Sequence, residues 1–182
     1  MTYEEALHQI HNTGRFPKTA GLSRIQKLLS LLGNPEKGLR CIHVAGTNGK
    51  GSVTTMAAAM LEEAGFRVGK YTSPYVVEFR ERIQIDGEYI PKGRLAELVE
   101  RLTPALEEMR AQGDPAGEFE FVTALAFQYF KEERCDAVVL EVGLGGRFDA
   151  TNVIGRPLVC VITSIGLDHT AILGDTLEAV AG

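Results

Sequence analysis

A chain of 182 residues that is 45% hydrophobic can bury one sizeable core but leaves no room for a second full domain. Its net charge of -5, from 19 basic and 24 acidic residues, offers no broad cationic surface, which argues against a nucleic-acid partner. No apolar run approaches the roughly 20 residues needed to cross a bilayer, and the acidic, amphipathic start from Met1 to Asn12 has no signal-peptide core, so a cytoplasmic protein without a membrane partner is expected.

Apolar side chains at Tyr3, Ala6, Leu7 and Ile10 recur with a helical period, and a loop over 12–20 follows. Leu22, Ile25, Leu28, Leu29 and Leu32 mark a second helix, stopped by Gly33-Asn34-Pro35. Residues 40–45 read as a first strand, 52–64 as a helix ending at Gly65, and 66–71 as a strand running into Thr72-Ser73-Pro74. From Tyr75 to Ile90 the pattern changes, and Asp86-Gly87 between apolar positions predicts a small hairpin rather than a core strand. Pro91 opens a long helix carrying Leu95, Leu98, Val99, Leu102, Leu106 and Met109, in which Pro104 is expected to kink the axis or begin a new turn. After a polar loop at 112–117, a helix over 120–133 packs through Phe121, Leu125, Ala126, Tyr129 and Phe130. Residues 137–142 and 158–162 are further apolar strands. Such strands alternating with amphipathic helices predict an α/β fold: a mostly parallel central sheet, flanked by helices on both faces and joined by right-handed crossovers.

The segment Val44-Ala45-Gly46-Thr47-Asn48-Gly49-Lys50-Gly51-Ser52 follows the first strand and precedes a helix, as a phosphate-binding loop does. Backbone amides and the helix N-terminus face the anion, and Lys50 meets its terminal phosphates. The fit to G-x-x-x-x-G-K-S/T is imperfect, because Val44 stands at the first glycine and Gly51 at the hydroxyl position. The hydroxyls are instead at Thr47 and Ser52, so a magnesium ligand has to come from elsewhere.

Ligands in open α/β sheets bind at the carboxyl ends of strands, which sorts the remaining polar residues. Glu141 ends an apolar strand, where an unpaired carboxylate costs several kcal/mol, so a cation beside Lys50 is its expected partner; a buried ion pair or a helix cap are the alternatives. The next segment, 143–152, is too rich in glycine and polar groups for a plain connector, and its Arg147 suits a phosphate or an anionic substrate. His169 beside Asp168, and Ser73 after another strand, lie at the same expected edge. Magnesium prefers oxygen, so a histidine in the set leaves manganese possible. His43, inside a strand, reads as structural. Cys41, Cys135 and Cys160 have no zinc spacing and read as small buried thiols.

Four ordered motifs carry a resemblance: Gly46-Thr47-Asn48-Gly49-Lys50-Gly51-Ser52; Tyr71-Thr72-Ser73-Pro74 leading to Phe79-Arg80-Glu81-Arg82-Ile83; Phe119-Glu120-Phe121 with Thr123-Ala124; and Glu141-Val142-Gly143-Leu144-Gly145-Gly146-Arg147 with Asp149-Ala150-Thr151-Asn152. Together with Gly166-Leu167-Asp168-His169, they make the chain similar to the folylpolyglutamate synthase/dihydrofolate synthase family of the Mur ligase superfamily over essentially all its length. The resemblance implies a P-loop NTPase-like ATP-binding domain of the Mur-ligase central type. It also implies a ligase that phosphorylates a substrate carboxylate with ATP and transfers the acyl group to the amine of L-glutamate. Dihydropteroate or a reduced folate would be the acceptor, and the full-length protein would be a monomer. Lys50 would then hold phosphates, with Thr47, Asn48, Gly49, Gly51 and Ser52 lining the loop. Ser73, Glu141 and His169 would ligate magnesium. Tyr75, Phe79, Arg82, Arg147, Phe148, Asp149, Ala150 and Asn152 would hold the pteroate or folate.

Tyr75 stands where family members often have histidine, and Gly182 ends the chain inside a helix, so residues 1–182 are expected to be an incomplete ATP-binding domain lacking a C-terminal domain and unlikely to catalyse alone. Two other readings stay open. A nucleotide-dependent ATPase or switch would use the same loop without a substrate cleft, and another Mur-type ligase would act on muramyl or cyanophycin-like substrates. Sequence does not separate dihydrofolate synthase, folylpolyglutamate synthase and an enzyme with both activities.

Overall fold

In the computed structural model, residues 1–14 and 21–181 are described; most of the loop expected at 12–20, and Gly182, lie outside them. Helix α1 (Tyr3–His11) starts on a capping box, in which Thr2 Oγ1 accepts from Glu5 N and the Glu5 carboxylate accepts from Thr2 N. Ala6 and Ile10, one turn apart, form its buried stripe, and Ile25, Leu28 and Leu29 do the same for α2 (Ser23–Leu31).

Six strands make one sheet: β1 (Cys41–Ala45), β2 (Val68–Tyr71), β3 (Ile83–Ile85), β4 (Glu88–Tyr89), β5 (Ala137–Glu141) and β6 (Val159–Ile162), in the order β4-β3-β2-β5-β1-β6. The four strands β2, β5, β1 and β6 are parallel, while β3 and β4 add on antiparallel. Parallel strands need long connections, and helices α3 (Lys50–Glu63), α4 (Lys92–Ala111) and α5 (Glu118–Glu132) supply them. The period of two along β5 divides the core: Val138 and Leu140 join the large cluster with α1, α2, α4 and α5, whereas Val139 packs with Val44, Ala58 and Val68 beneath α3. Among the described residues no helix is long and apolar enough to cross a membrane.

The structure departs from the sequence pattern in several places. The hairpin at 83–89 is no detached feature: Ile83 and Ile85 are buried, and β3 extends the main sheet by pairing with β2. Pro104 lies within α4 without ending it. Helix α3 begins at Lys50, two residues earlier than expected, and α5 begins at Glu118 because the Glu120 carboxylate accepts from Gly117 N and fixes the helix start. Helices cover both faces of the sheet as expected, α4 and α5 on one and α3 on the other, but the cover is thin at β6. That strand is an edge, the short helices α6 (Thr170–Leu173) and α7 (Leu177–Ala181) bury nothing of their own, and Val159 and Ile162 remain 50% and 71% exposed. Cys160, on the same strand, is therefore exposed rather than buried, and Cys135 is only partly covered.

Packing between α5 and β2 has almost no slack. A Cβ added at Gly69 would lie 2.6 Å from the Phe130 ring. Gly69→Ala is expected to lower stability by about 1–3 kcal/mol through overpacking. Urea unfolding checks this, and Phe130→Leu in the same background should recover part of the loss; an unchanged midpoint for Gly69→Ala contradicts the close approach.

Candidate active site at the strand ends

Register decides what meets at the carboxyl edge of the sheet. Val44 on β1 lies opposite Glu141 on β5 and Val161 on β6, and Tyr71 on β2 lies opposite Leu140. The loop after β1, the carboxylate ending β5 and Ser73 after β2 therefore emerge side by side.

Gly46 has φ +132°, and a Cβ there would come within 2.0 Å of Thr163 Oγ1, so only glycine allows the loop to leave β1 along this path. Gly49, left-handed at φ +84°, is the N-cap of α3, and no side chain caps the helix. The first-turn amides are thus left for an anion. Lys50 Nζ curls back to donate to Gly46 O at 2.8 Å and Thr47 O at 3.2 Å, which parks the ammonium over the loop. Asn48, Gly49 and Ser52 are exposed along the rim. Thr47 has a different task from the one its hydroxyl suggests. Its N donates to Ser164 O, and its Oγ1 donates to Gly166 O and accepts from Gly166 N, clasping the segment after β6 onto the loop. Ser164 Oγ adds a bond to Asn48 O.

Glu141 is buried beside this loop, at 5% exposure. Its Oε2 accepts from Ser73 N at 3.1 Å, and a Cβ on Gly51 would sit 3.6 Å from the same oxygen. Desolvation pushes the Glu141 carboxyl above the usual range, opposed by the Ser73 amide and the charge of Lys50. Lys50, Gly51, Ser73 and Glu141 are thus brought together. His169, in a left-handed conformation at φ +48°, is exposed, and its ring lies 3.8 Å from Asp168. Among the described residues no group of three or more His, Cys, Asp or Glu is placed to hold a metal. The buried carboxylate, with one amide donor and a neighbouring serine, still suits a hard cation that completes its shell with phosphate oxygens and water, as magnesium does.

A second loop faces the same edge. The Glu81 carboxylate accepts from Val76 N, Val77 N and Glu78 N at 2.8, 2.9 and 2.7 Å, freezing a tip whose two valines are 87% and 86% exposed. The Arg82 guanidinium lies 5.4 Å from the Tyr75 ring centroid and 5.7 Å from that of Phe79. Arg147 and Phe148 are exposed, and Asn152 Nδ2 donates to Arg147 O. Phe79, Asp149 and Ala150 are buried. What these three offer a substrate is a wall and a loop shape rather than a free polar group. The Asp149 carboxylate is fully engaged: Oδ2 accepts from Gly143 N and Leu144 N, and Oδ1 from Thr151 N and Oγ1. The roles of Glu81 and Thr151 are not legible in the sequence, because nothing in their spacing announces which amides a carboxylate or hydroxyl will meet.

A raised carboxyl pKa has a definite sign in the stability of the cation-free protein. Folding favours the protonated Glu141, so its ionisation weakens the fold as pH rises from the ordinary value of 4.5 through the higher folded value. Glu141→Gln should be more stable than the wild type near neutral pH, with the advantage shrinking as pH falls through the raised folded value toward 4.5 and constant below it. Urea melts from about pH 4 to about pH 8, run without divalent cation, test this; a gap independent of pH, or one that widens toward acid, contradicts it.

No protein-family model matches the chain. It is 48% identical to the dihydrofolate synthase/folylpolyglutamate synthase of Bacillus subtilis, over 99% of this chain and 42% of that protein. It superposes on the solved FPGS-AMPPCP-folate complex with a TM-score of 0.94 and 47% identity, covering 99% of this chain and 44% of the other. On E. coli FolC in complex with DHPP and ADP the TM-score is 0.86 and the identity 36%, covering 99% and 42%. The chain therefore spans less than half the length of the relatives it matches. Matched in both sequence and fold along nearly its whole length, it belongs to the folylpolyglutamate synthase/dihydrofolate synthase family.

Proposed function

We propose that the protein is an ATP-dependent ligase that joins L-glutamate to the carboxylate of dihydropteroate, of a reduced folate, or of both, through an acyl phosphate. The observation that carries this reading is the meeting of Lys50 and the uncapped start of α3 with the buried Glu141 at the same strand tips. Solved relatives add support, since one is a complex with AMPPCP and folate and another with DHPP and ADP.

The reaction brings two anions together, a carboxylate and the terminal phosphate of ATP, so the chain must supply positive charge where they meet. Lys50 is held by two carbonyls of its own loop, and phosphate oxygens replace them at little cost because the ammonium already points across the loop. The amides at the start of α3 take the remaining phosphate charge. Glu141, with Ser73 and His169, would hold magnesium or manganese, which when bound offsets negative charge on the phosphates. The Glu81-clamped tip and the loop at 143–149 would border the pteroate or folate, with Tyr75 and Arg82 on one side and Arg147, Phe148 and Asn152 on the other. Buried Phe79, Asp149 and Ala150 would support those walls.

The decisive assay supplies the full-length protein with ATP and glutamate, and adds dihydropteroate or reduced folates separately. Release of ADP that depends on glutamate and on either acceptor is expected, and which acceptor works distinguishes the two activities. ATP hydrolysis indifferent to both would favour a plain ATPase. Lys50→Ala should lower turnover by roughly 100-fold or more, with the loss in the phosphoryl step; a near-normal rate removes the role assigned to this lysine.

A further inference from the structure

A buried hydrogen-bond chain ties the strand that carries the phosphate loop to the loop at 143–149. His43 lies on β1, three residues before Gly46, and its Nε2 is 2.8 Å from Thr151 Oγ1. Thr151 Oγ1 in turn donates to Asp149 Oδ1 at 2.5 Å, and Asp149 Oδ2 receives Gly143 N and Leu144 N at 3.0 and 2.9 Å. The hydroxyl has one proton and gives it to the carboxylate, so His43 Nε2 must carry the hydrogen of the first bond. His43, Thr151 and Asp149 are 8%, 0% and 6% exposed, so bulk water competes little with these bonds. Gly143 follows Glu141 by two residues, and Arg147 lies inside the loop that Asp149 closes.

We propose that His43 is a positioning residue for the acceptor substrate, fixing the 143–149 loop through Thr151 and Asp149. The inference rests on the ligase reading above for the side of the site on which the loop acts. Because the chain ends on loop amides and not on the Lys50 loop, its loss should fall on the acceptor and spare ATP. A histidine that only filled space would show no such split.

Three variants of the full-length protein test it. His43→Leu removes the donor at similar volume, His43→Gln keeps a donor able to reach Thr151, and Thr151→Val removes the middle link. Expected for His43→Leu is a rise of about tenfold in KM for the pteroate or folate acceptor with KM for ATP within about twofold, recovered for the most part by Gln. Thr151→Val should match His43→Leu, and the double variant should be no worse than either, since one chain broken twice is broken once. Equal effects on both KM values, no recovery by Gln, or additive losses overturn the proposal. Amide hydrogen exchange at Gly143 and Leu144 gives a readout that needs no turnover: exchange faster in His43→Leu and restored in His43→Gln supports the positioning role even if the wild type proves not to be a ligase, and unchanged exchange sinks it.

Discussion

The parallel pairing of β1 between β5 and β6 is the constraint from which the site follows. Parallel strands all point their carboxyl ends the same way, so every polar group placed just after an apolar run reaches one edge. The register then sets distances. With Val44 opposite both Glu141 and Val161, the Lys50 loop lies directly between the Glu141 carboxylate and the segment from Thr163 to Gly166. Slipping β5 by one residue would turn Glu141 to the other face of the sheet, away from the Lys50 loop.

That arrangement holds charge in an unfavourable state for the isolated chain. Glu141 is desolvated with one amide as its donor, and Lys50 spends its hydrogens on carbonyls that any phosphate would outbid. Both groups gain by meeting a ligand, the carboxylate a cation and the ammonium an anion. A nucleotide with its metal offers the two together, and the fold gives up some stability to keep the groups prepared.

The loops around the site are shaped by side chains collecting backbone amides. Glu81 gathers three from 76–78, Asp149 two from 143–144, and Thr47 pairs with both backbone groups of Gly166 through one hydroxyl. Such contacts give irregular backbone the satisfied polar groups that helices and strands obtain from their own ladders. They also explain why a loop full of glycine can hold one shape: the conformational freedom of 143–149 is cancelled by Asp149, itself held through Thr151 from β1.

The apolar periods of the chain settled the long helices and the core strands, because a face of Leu95, Leu98, Val99 and Leu102, or an unbroken 137–140, has one economical way to be buried. The glycine-lysine loop was equally legible, since a strand, a tight turn and a helix start are local events. Tertiary structure alone decided the rest. It joined the 83–89 hairpin to the sheet, assigned Thr47 to clasp the chain after β6, and turned Asp149 inward to hold its own loop. Each of these depends on which distant groups come within hydrogen-bond reach or cover an apolar face, and local sequence carries no record of that.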